Sequence, residues 1–229
     1  MTRLERAILF ATTAFDTKGG TIKKYIDEDG MPKIVHCLEV MFAVKQLIER
    51  DPSIIPDGCT ADDLLVAAVL HDVVEDTKFT KEDIAREFGD VVAELVDGVS
   101  RREHSHSTCK VAKCSEHKEF YRDFIYRAGE KVGTTIIKIA DLTVNRKRTH
   151  KIKDLKWRDK LEFKYDTALK VLTEEISWEE ASWGWHCGDF GGKIGSEGGY
   201  FTVADPNGKK LRLTTEEFEK YTGRKVTTL

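Results

Sequence analysis

Four ionisable side chains fall within six residues of one another in the segment His71-Asp72-Val73-Val74-Glu75-Asp76-Thr77, directly after the apolar run at residues 64–70. Charge is expensive among apolar neighbours, so the group needs a chemical reason. At helical spacing His71 shares a face with Glu75, and Asp72 shares one with Asp76. Adjacent His71 and Asp72 can both turn toward one point beyond the helix surface, and a buried carboxylate beside an imidazole is satisfied most readily by a cation. Two donors leave a coordination shell incomplete, and two more polar residues interrupt apolar helical patterns elsewhere: His36 in PKIVHCLEVM and Asp141 in IIKIADLTVN. Each alone reads equally well as a hydrogen-bonded core residue. Together with His71 and Asp72 they form a two-imidazole, two-carboxylate set with room for water. That set suits Mn²⁺, Fe²⁺ or another divalent transition metal better than a closed tetrahedral zinc site.

Helices must bring these residues together. Apolar residues at three-and-four spacing predict a first helix over residues 2–17, ended by Gly19-Gly20, and a second over 34–49 with Pro32 at its first turn. Thr60 and Asp63 have capping-box spacing before LLVAAVLHDVVED (residues 64–76), which is apolar almost all round and reads as one central helix. A second capping pattern at residues 80–83 starts a helix to Phe88 that stops at Gly89, and residues 91–99 form the next. Helices are also expected over 115–127, over 131–147 despite the β-branched run at 134–137, and over 156–175. Composition then changes, with a Trp- and Gly-rich stretch followed by alternation around Asp205-Pro206-Asn207-Gly208, a β-hairpin signal, and a short helix over 215–221. The expected organisation is mainly α, a helical bundle over residues 1–176, with a small β-hairpin-containing appendage over 177–229.

The formal charge of −3, with 40% hydrophobic and 34% charged residues, describes a soluble globular chain without a global drive toward nucleic acid or anionic lipid. The N-terminus lacks the features of a signal peptide, and no apolar run is long enough for a membrane span. Five scattered cysteines fit a reducing cytoplasm.

The order His, His-Asp, Asp on successive helices resembles the HD superfamily of metal-dependent phosphohydrolases. HDVVEDT, the following FTKEDIAREFGDVVAELVDGVS, EFYRDFI and KIADLTVNRK extend the likeness over roughly residues 5–175. They resemble the hydrolase domain of RelA/SpoT-type proteins and the stand-alone small alarmone hydrolases. The resemblance implies an HD-domain helical bundle in which His36, His71, Asp72 and Asp141 bind the metal, generally Mn²⁺. Glu75 and Asp76 would activate and orient water. Asn145 matches the nucleotide-contacting Asn and Lys138 the lysine of the KxAD motif; with basic residues they would hold the substrate phosphates, Lys138 having a structural role as its alternative. The implied activity is hydrolysis of (p)ppGpp at its 3′-pyrophosphate, with a small-molecule nucleotide as partner, no nucleic acid and no membrane. No synthetase-like segment is visible, so hydrolase activity alone is expected.

The chain also departs from that pattern. GMPKIVH keeps Gly30, Pro32 and His36 of G-x-P-Y-x-x-H, but Lys33 replaces the tyrosine, and Asp27 and Glu28 stand where an Arg-Lys pair is expected. Lys23, Lys24 or Lys18 would then have to serve the phosphates, with Lys147 from the Arg146-Lys147-Arg148 run. Another nucleotide or dinucleotide phosphate ester is the alternative substrate, and a non-catalytic nucleotide- or partner-binding module is the alternative of another class. His104, His106, Cys109, Cys114 and His117 fit no standard zinc spacing and read as a polar loop. The basic run over 146–160 reads as a solvated helix end or as an attractor of an anionic nucleotide. The tail tryptophans read as packing for the appendage.

Overall fold

The computed structural model describes residues 1–16, 31–103, 119, 121–178, 180–181, 196–197, 200–204 and 210–214. Among them are nine α-helices: α1 (Arg3–Asp16), α2 (Lys33–Arg50), α3 (Ala61–Leu70), α4 (Val73–Asp76), α5 (Lys81–Phe88), α6 (Asp90–Val99), α7 (Tyr121–Gly129), α8 (Val132–Arg148) and α9 (Leu155–Leu172). Short strands β1 (Ser196–Glu197), β2 (Tyr200–Ala204) and β3 (Lys210–Thr214) follow in an antiparallel sheet of that order. Ala204 pairs with Lys210, so β2 and β3 form the expected hairpin around a turn whose residues lie outside the described set. The helix expected over 215–221 also lies outside it. No helix among the described residues is long and apolar enough to cross a membrane.

Helix α3 is the centre of the bundle because nearly every side is apolar: Leu64, Val66, Ala67, Ala68, Val69 and Leu70 are fully buried. Helices α1, α2, α6 and α8 pack around it. A second, smaller core joins Tyr121, Phe124, Ile125, Leu142, Ala168, Val171 and Leu172, with Trp178 packed edge-on to Tyr126 at a ring separation of 5.2 Å.

Both capping boxes form. The Thr60 hydroxyl accepts from the Asp63 N–H while Asp63 accepts from the Thr60 N–H, and Thr80 with Asp83 does the same at α5. Gly89, at φ 89°, ends α5 and immediately starts α6, a backbone conformation that a side chain would strain. The β-branched run at 134–137 lies within α8, where the Thr134 and Thr135 hydroxyls bond back to the Lys131 carbonyl and Ile136 and Ile137 enter the core.

Two expectations need correction. The expected single helix over 64–76 is broken: α3 ends at Leu70, His71 and Asp72 form a turn, and α4 begins at Val73. His71 Nδ1 donates to the Ala68 carbonyl at 2.8 Å, the oxygen that a continuing helix would offer to the Asp72 N–H. Of the helix expected over 115–127, residues 121–127 lie in α7, Glu119 is not helical, and residues 115–118 and 120 lie outside the described residues. Glu119, the one described residue just before α7, is instead tied to Arg102, donating its N–H to the Arg102 carbonyl and accepting the Arg102 N–H on its carboxylate.

Candidate metal centre

His71 and Asp72 both keep right-handed helical backbone angles at the junction of α3 and α4, and their side chains converge on one place, beside the first turn of α2 and the middle of α8. His36 sits one turn into α2, and Asp141 lies midway along α8. The four donor atoms form a ring of alternating nitrogen and oxygen. His36 Nε2 is 3.2 Å from Asp141 Oδ1, which is 3.7 Å from His71 Nε2; His71 Nε2 is 3.2 Å from Asp72 Oδ2, which is 3.7 Å from His36 Nε2. Donors bound at adjacent positions around a transition-metal ion stand about 3 to 3.5 Å apart; the two 3.2 Å edges have that spacing and the two 3.7 Å edges are slightly wider, with His36, His71 and Asp141 grouped within 4.8 Å of one another.

Hydrogen bonding supports the same use. With Nδ1–H committed to Ala68, the lone pair of His71 lies on Nε2, which is fully buried and has no hydrogen-bond donor; its neighbour at 3.2 Å, Asp72 Oδ2, is a carboxylate oxygen that can only accept. An orphaned buried imidazole nitrogen facing two carboxylates fits a divalent cation. Burial alone would depress the His71 pKa, but Asp72, Asp141 and the Ala68 carbonyl outweigh it and raise it. Burial would likewise raise both carboxylates, yet both are held well below the usual range. For Asp72 the neighbouring His71 and Lys33 prevail, and for Asp141 Lys138 and His36 do. Both are anionic at neutral pH.

Asp141 is fixed from both sides along its own helix. The Lys138 ammonium donates to Oδ2 at 2.7 Å, and the Asn145 amide donates to Oδ1 at 2.6 Å. Lys138 is buried, with its ammonium 4.6 Å over the Phe124 ring. Lys138 and Asn145, expected at the substrate, are thus both engaged on the Asp141 carboxylate. Lys147 is exposed and lies six residues beyond Asp141, roughly 120° around α8 from it.

Glu75 and Asp76 follow on α4. Glu75 Oε2 accepts the Arg101 backbone N–H at 3.0 Å, which fixes that carboxylate against the end of α6. That end is held by Arg127, whose guanidinium donates to the carbonyls of Asp97, Gly98 and Ser100 and to the Glu119 carboxylate. The Asp76 carboxyl is pushed up by burial and by the negative charges of Asp72 and Glu75, with Lys33 opposing.

Lys33 is the site residue that the motif reading placed only as a departure from a pattern. Its ammonium lies 2.5 Å from Asp72 Oδ2 and 3.3 Å from Asp76 Oδ2. The available signal was its spacing, one helical turn before His36 on the same helix. Cys37 was also missed; its sulfur lies within 4.8 Å of ligand atoms on His71 and Asp72. Burial raises that thiol well above its ordinary range, which keeps it protonated. Lys18, Lys23, Lys24, Asp27, Glu28 and the His104-to-His117 cluster lie outside the described residues.

The HD domain family matches residues 17–163. A "GTP pyrophosphokinase" of Streptomyces coelicolor is 31% identical over 156 residues, which cover 66% of this chain and 16% of that protein. A "Guanosine-3′,5′-bis(diphosphate) 3′-pyrophosphohydrolase" of Haemophilus influenzae is 34% identical over 116 residues, covering 51% of this chain and 15% of that protein. The chain therefore spans about one-sixth of the length of these curated relatives. Among solved structures, a metazoan ortholog of SpoT described as hydrolysing ppGpp superposes with a TM-score of 0.52 at 22% identity, over 75% of this chain and 85% of that one. At that identity the likeness is one of fold.

Proposed function

The chain belongs to the HD domain family, and on that premise we propose that it is a metal-dependent phosphohydrolase that removes pyrophosphate from the 3′ position of a guanosine alarmone, (p)ppGpp, leaving GDP or GTP. The observation that carries this reading is the ring of His36, His71, Asp72 and Asp141 donors with an unpartnered buried nitrogen at His71. These four residues hold one divalent ion, Mn²⁺ or a similar transition metal. Bound there, the ion supplies positive charge to phosphoryl oxygens and lowers the pKa of water.

The protein's own groups account for the remaining roles. Water attacks the phosphorus attached to the ribose O3′, a new P–O bond forms as the P–O3′ bond breaks, and O3′ departs as a hydroxyl with the proton that the attacking water gave up through Asp76. Asp76, its carboxyl already raised in pKa, takes the proton of the attacking water. Glu75, held by the Arg101 N–H, orients that water. Lys138 and Asn145 act through Asp141, keeping one oxygen turned to the metal. Lys147, Lys23 and Lys24 provide positive charge for the polyphosphate, and a diffusible cytoplasmic nucleotide is the substrate.

The test is a nucleotide panel (ppGpp, pppGpp, GTP, GDP, a cyclic dinucleotide) with Mn²⁺ and pyrophosphate release as the readout. Release from the 3′-pyrophosphorylated members alone is expected. Glu75→Gln should lower turnover by ~10²-fold, the scale on which misplacing an attacking group costs rate, while binding Mn²⁺ as the native chain does. Turnover of another nucleotide with none of ppGpp would replace the substrate assignment.

A further inference from the structure

Two lysines attend the two candidate metal-binding carboxylates, and they do so in opposite ways. Lys138 takes Oδ2 of Asp141, the oxygen turned away from the imidazoles, so the inner Oδ1, which faces His36 and His71, meets only the neutral Asn145 amide and no ammonium. Its bond therefore aims the carboxylate into the ring. Lys33 takes Oδ2 of Asp72, the same oxygen that stands 3.2 Å from His71 Nε2 and 3.7 Å from His36 Nε2. Its ammonium is on the donor atom itself. Asp76 contributes the other half of its seat at 3.3 Å.

An ammonium and a divalent ion cannot share one carboxylate oxygen cheaply. Each would lie within a few ångströms of the other in a largely dehydrated site, where repulsion between like charges is screened far less than in water. The Lys33 side chain is mostly buried but keeps 21% of its surface, so it has a way out toward solvent on its four-carbon stem. Lys138 packs over Phe124 and has no such role.

We propose that Lys33 sets the affinity of the metal centre, acting as an internal cation that competes with the divalent ion for the inner oxygen of Asp72. Metal binding must move that ammonium onto Asp76 or outward. The protein thus binds its ion more weakly than the four-donor ring would alone, and the excess anionic charge of the ion-free site stays neutralised. This rests on the metal-centre reading above.

The experiment is Mn²⁺ titration by calorimetry of the native chain, Lys33→Met, Lys33→Tyr and Lys33→Arg, with circular dichroism and thermal unfolding in chelator to confirm that each is folded. Lys33→Met and Lys33→Tyr should bind Mn²⁺ at least tenfold more tightly than the native chain, and Lys33→Arg within about threefold of it. Their unfolding temperatures should also rise more on adding Mn²⁺, since the ion then screens Asp72 from Asp76. Unchanged or weaker binding by both neutral variants, with native binding intact, overturns the role of Lys33 alone. Failure of every protein, native included, to bind Mn²⁺ or another divalent ion overturns the metal centre and the competition together.

Discussion

Replacing Asp141 with asparagine removes one charge of a buried pair and strands the other. Lys138 donates to Asp141 Oδ2 at 2.7 Å, is 8% exposed and has the Phe124 ring as its other neighbour. Breaking a buried pair from one side costs about 3 to 5 kcal/mol, because the remaining ion is left desolvated. The retained aromatic face and slight exposure of Lys138 reduce this, so a loss of roughly 2 to 4 kcal/mol is expected for Asp141→Asn in the absence of metal. For a domain of this size that corresponds to a fall in Tm of ~5 to 15 °C. The assay is thermal unfolding in chelator of the native chain, Asp141→Asn, Lys138→Met and the double variant. The double variant should recover most of the stability lost in Asp141→Asn, because no unpaired charge remains. It should nevertheless lack the Mn²⁺-induced rise in Tm, because the ligand is still missing. If Asp141→Asn unfolds like the native chain, or if removing Lys138 in that background restores nothing, the assignment of Lys138 as the cation that holds Asp141 is wrong.

At the α6–α8 crossing, a Cβ built on Gly98 would fall 2.3 Å from Thr134 Cγ2, so Gly98→Ala should cost about 1 to 3 kcal/mol by overpacking, read as a lower urea midpoint; an unchanged midpoint would mean that the crossing relaxes freely. The Glu119 carboxyl is pushed up by burial, but the Arg127 guanidinium and the Arg102 N–H outweigh this and hold it below its ordinary pKa. Its stabilising contribution is therefore complete above the unfolded-state pKa of about 4.3 and disappears as pH falls through the lower folded-state value. The stability gap between the native chain and Glu119→Gln should be widest near pH 7 and close on acidification, and a gap independent of pH from 7 to 3 would contradict the pairing.

Much of this architecture was readable from residue types because the deciding interactions are local. Thr60 with Asp63 and Thr80 with Asp83 sit three apart and bond within their own first turn. His36 and Asp141 announced themselves as polar interruptions of apolar stripes, and burial at 4% and 5% is what such an interruption means once the stripes pack. The break at His71 and Asp72 was hidden because both sides of it are apolar and buried. Hydrophobic periodicity carries no mark of a carbonyl captured by a side chain. Glu119 falls outside a helix where it meets Arg102 across residues 103–118, a tertiary contact that local spacing does not encode. Lys33 stood in the sequence only as the residue in place of a tyrosine, and only the arrival of Asp72 and Asp76 from another part of the chain turns it into a site residue.

The ties between residues 101–102 and Glu119 have a consequence for how this chain can change over time. Arg102 and Glu119 exchange two backbone-involving bonds, Arg101 Nε donates to the Glu119 carbonyl, and Arg127 clamps the same carboxylate to the end of α6. Together they hold residues 101–102 and Glu119 side by side at the end of α6, like the two ends of a drawstring. Doubling the length of whatever runs between such fixed points costs only about 0.6 kcal/mol of closure entropy. Insertions or wholesale replacement between residues 103 and 119 should therefore be inherited without disturbing Glu75, which hangs from the Arg101 amide on the inner side of the knot. Length change between these two points is thus separable from the contact that holds Glu75 in place.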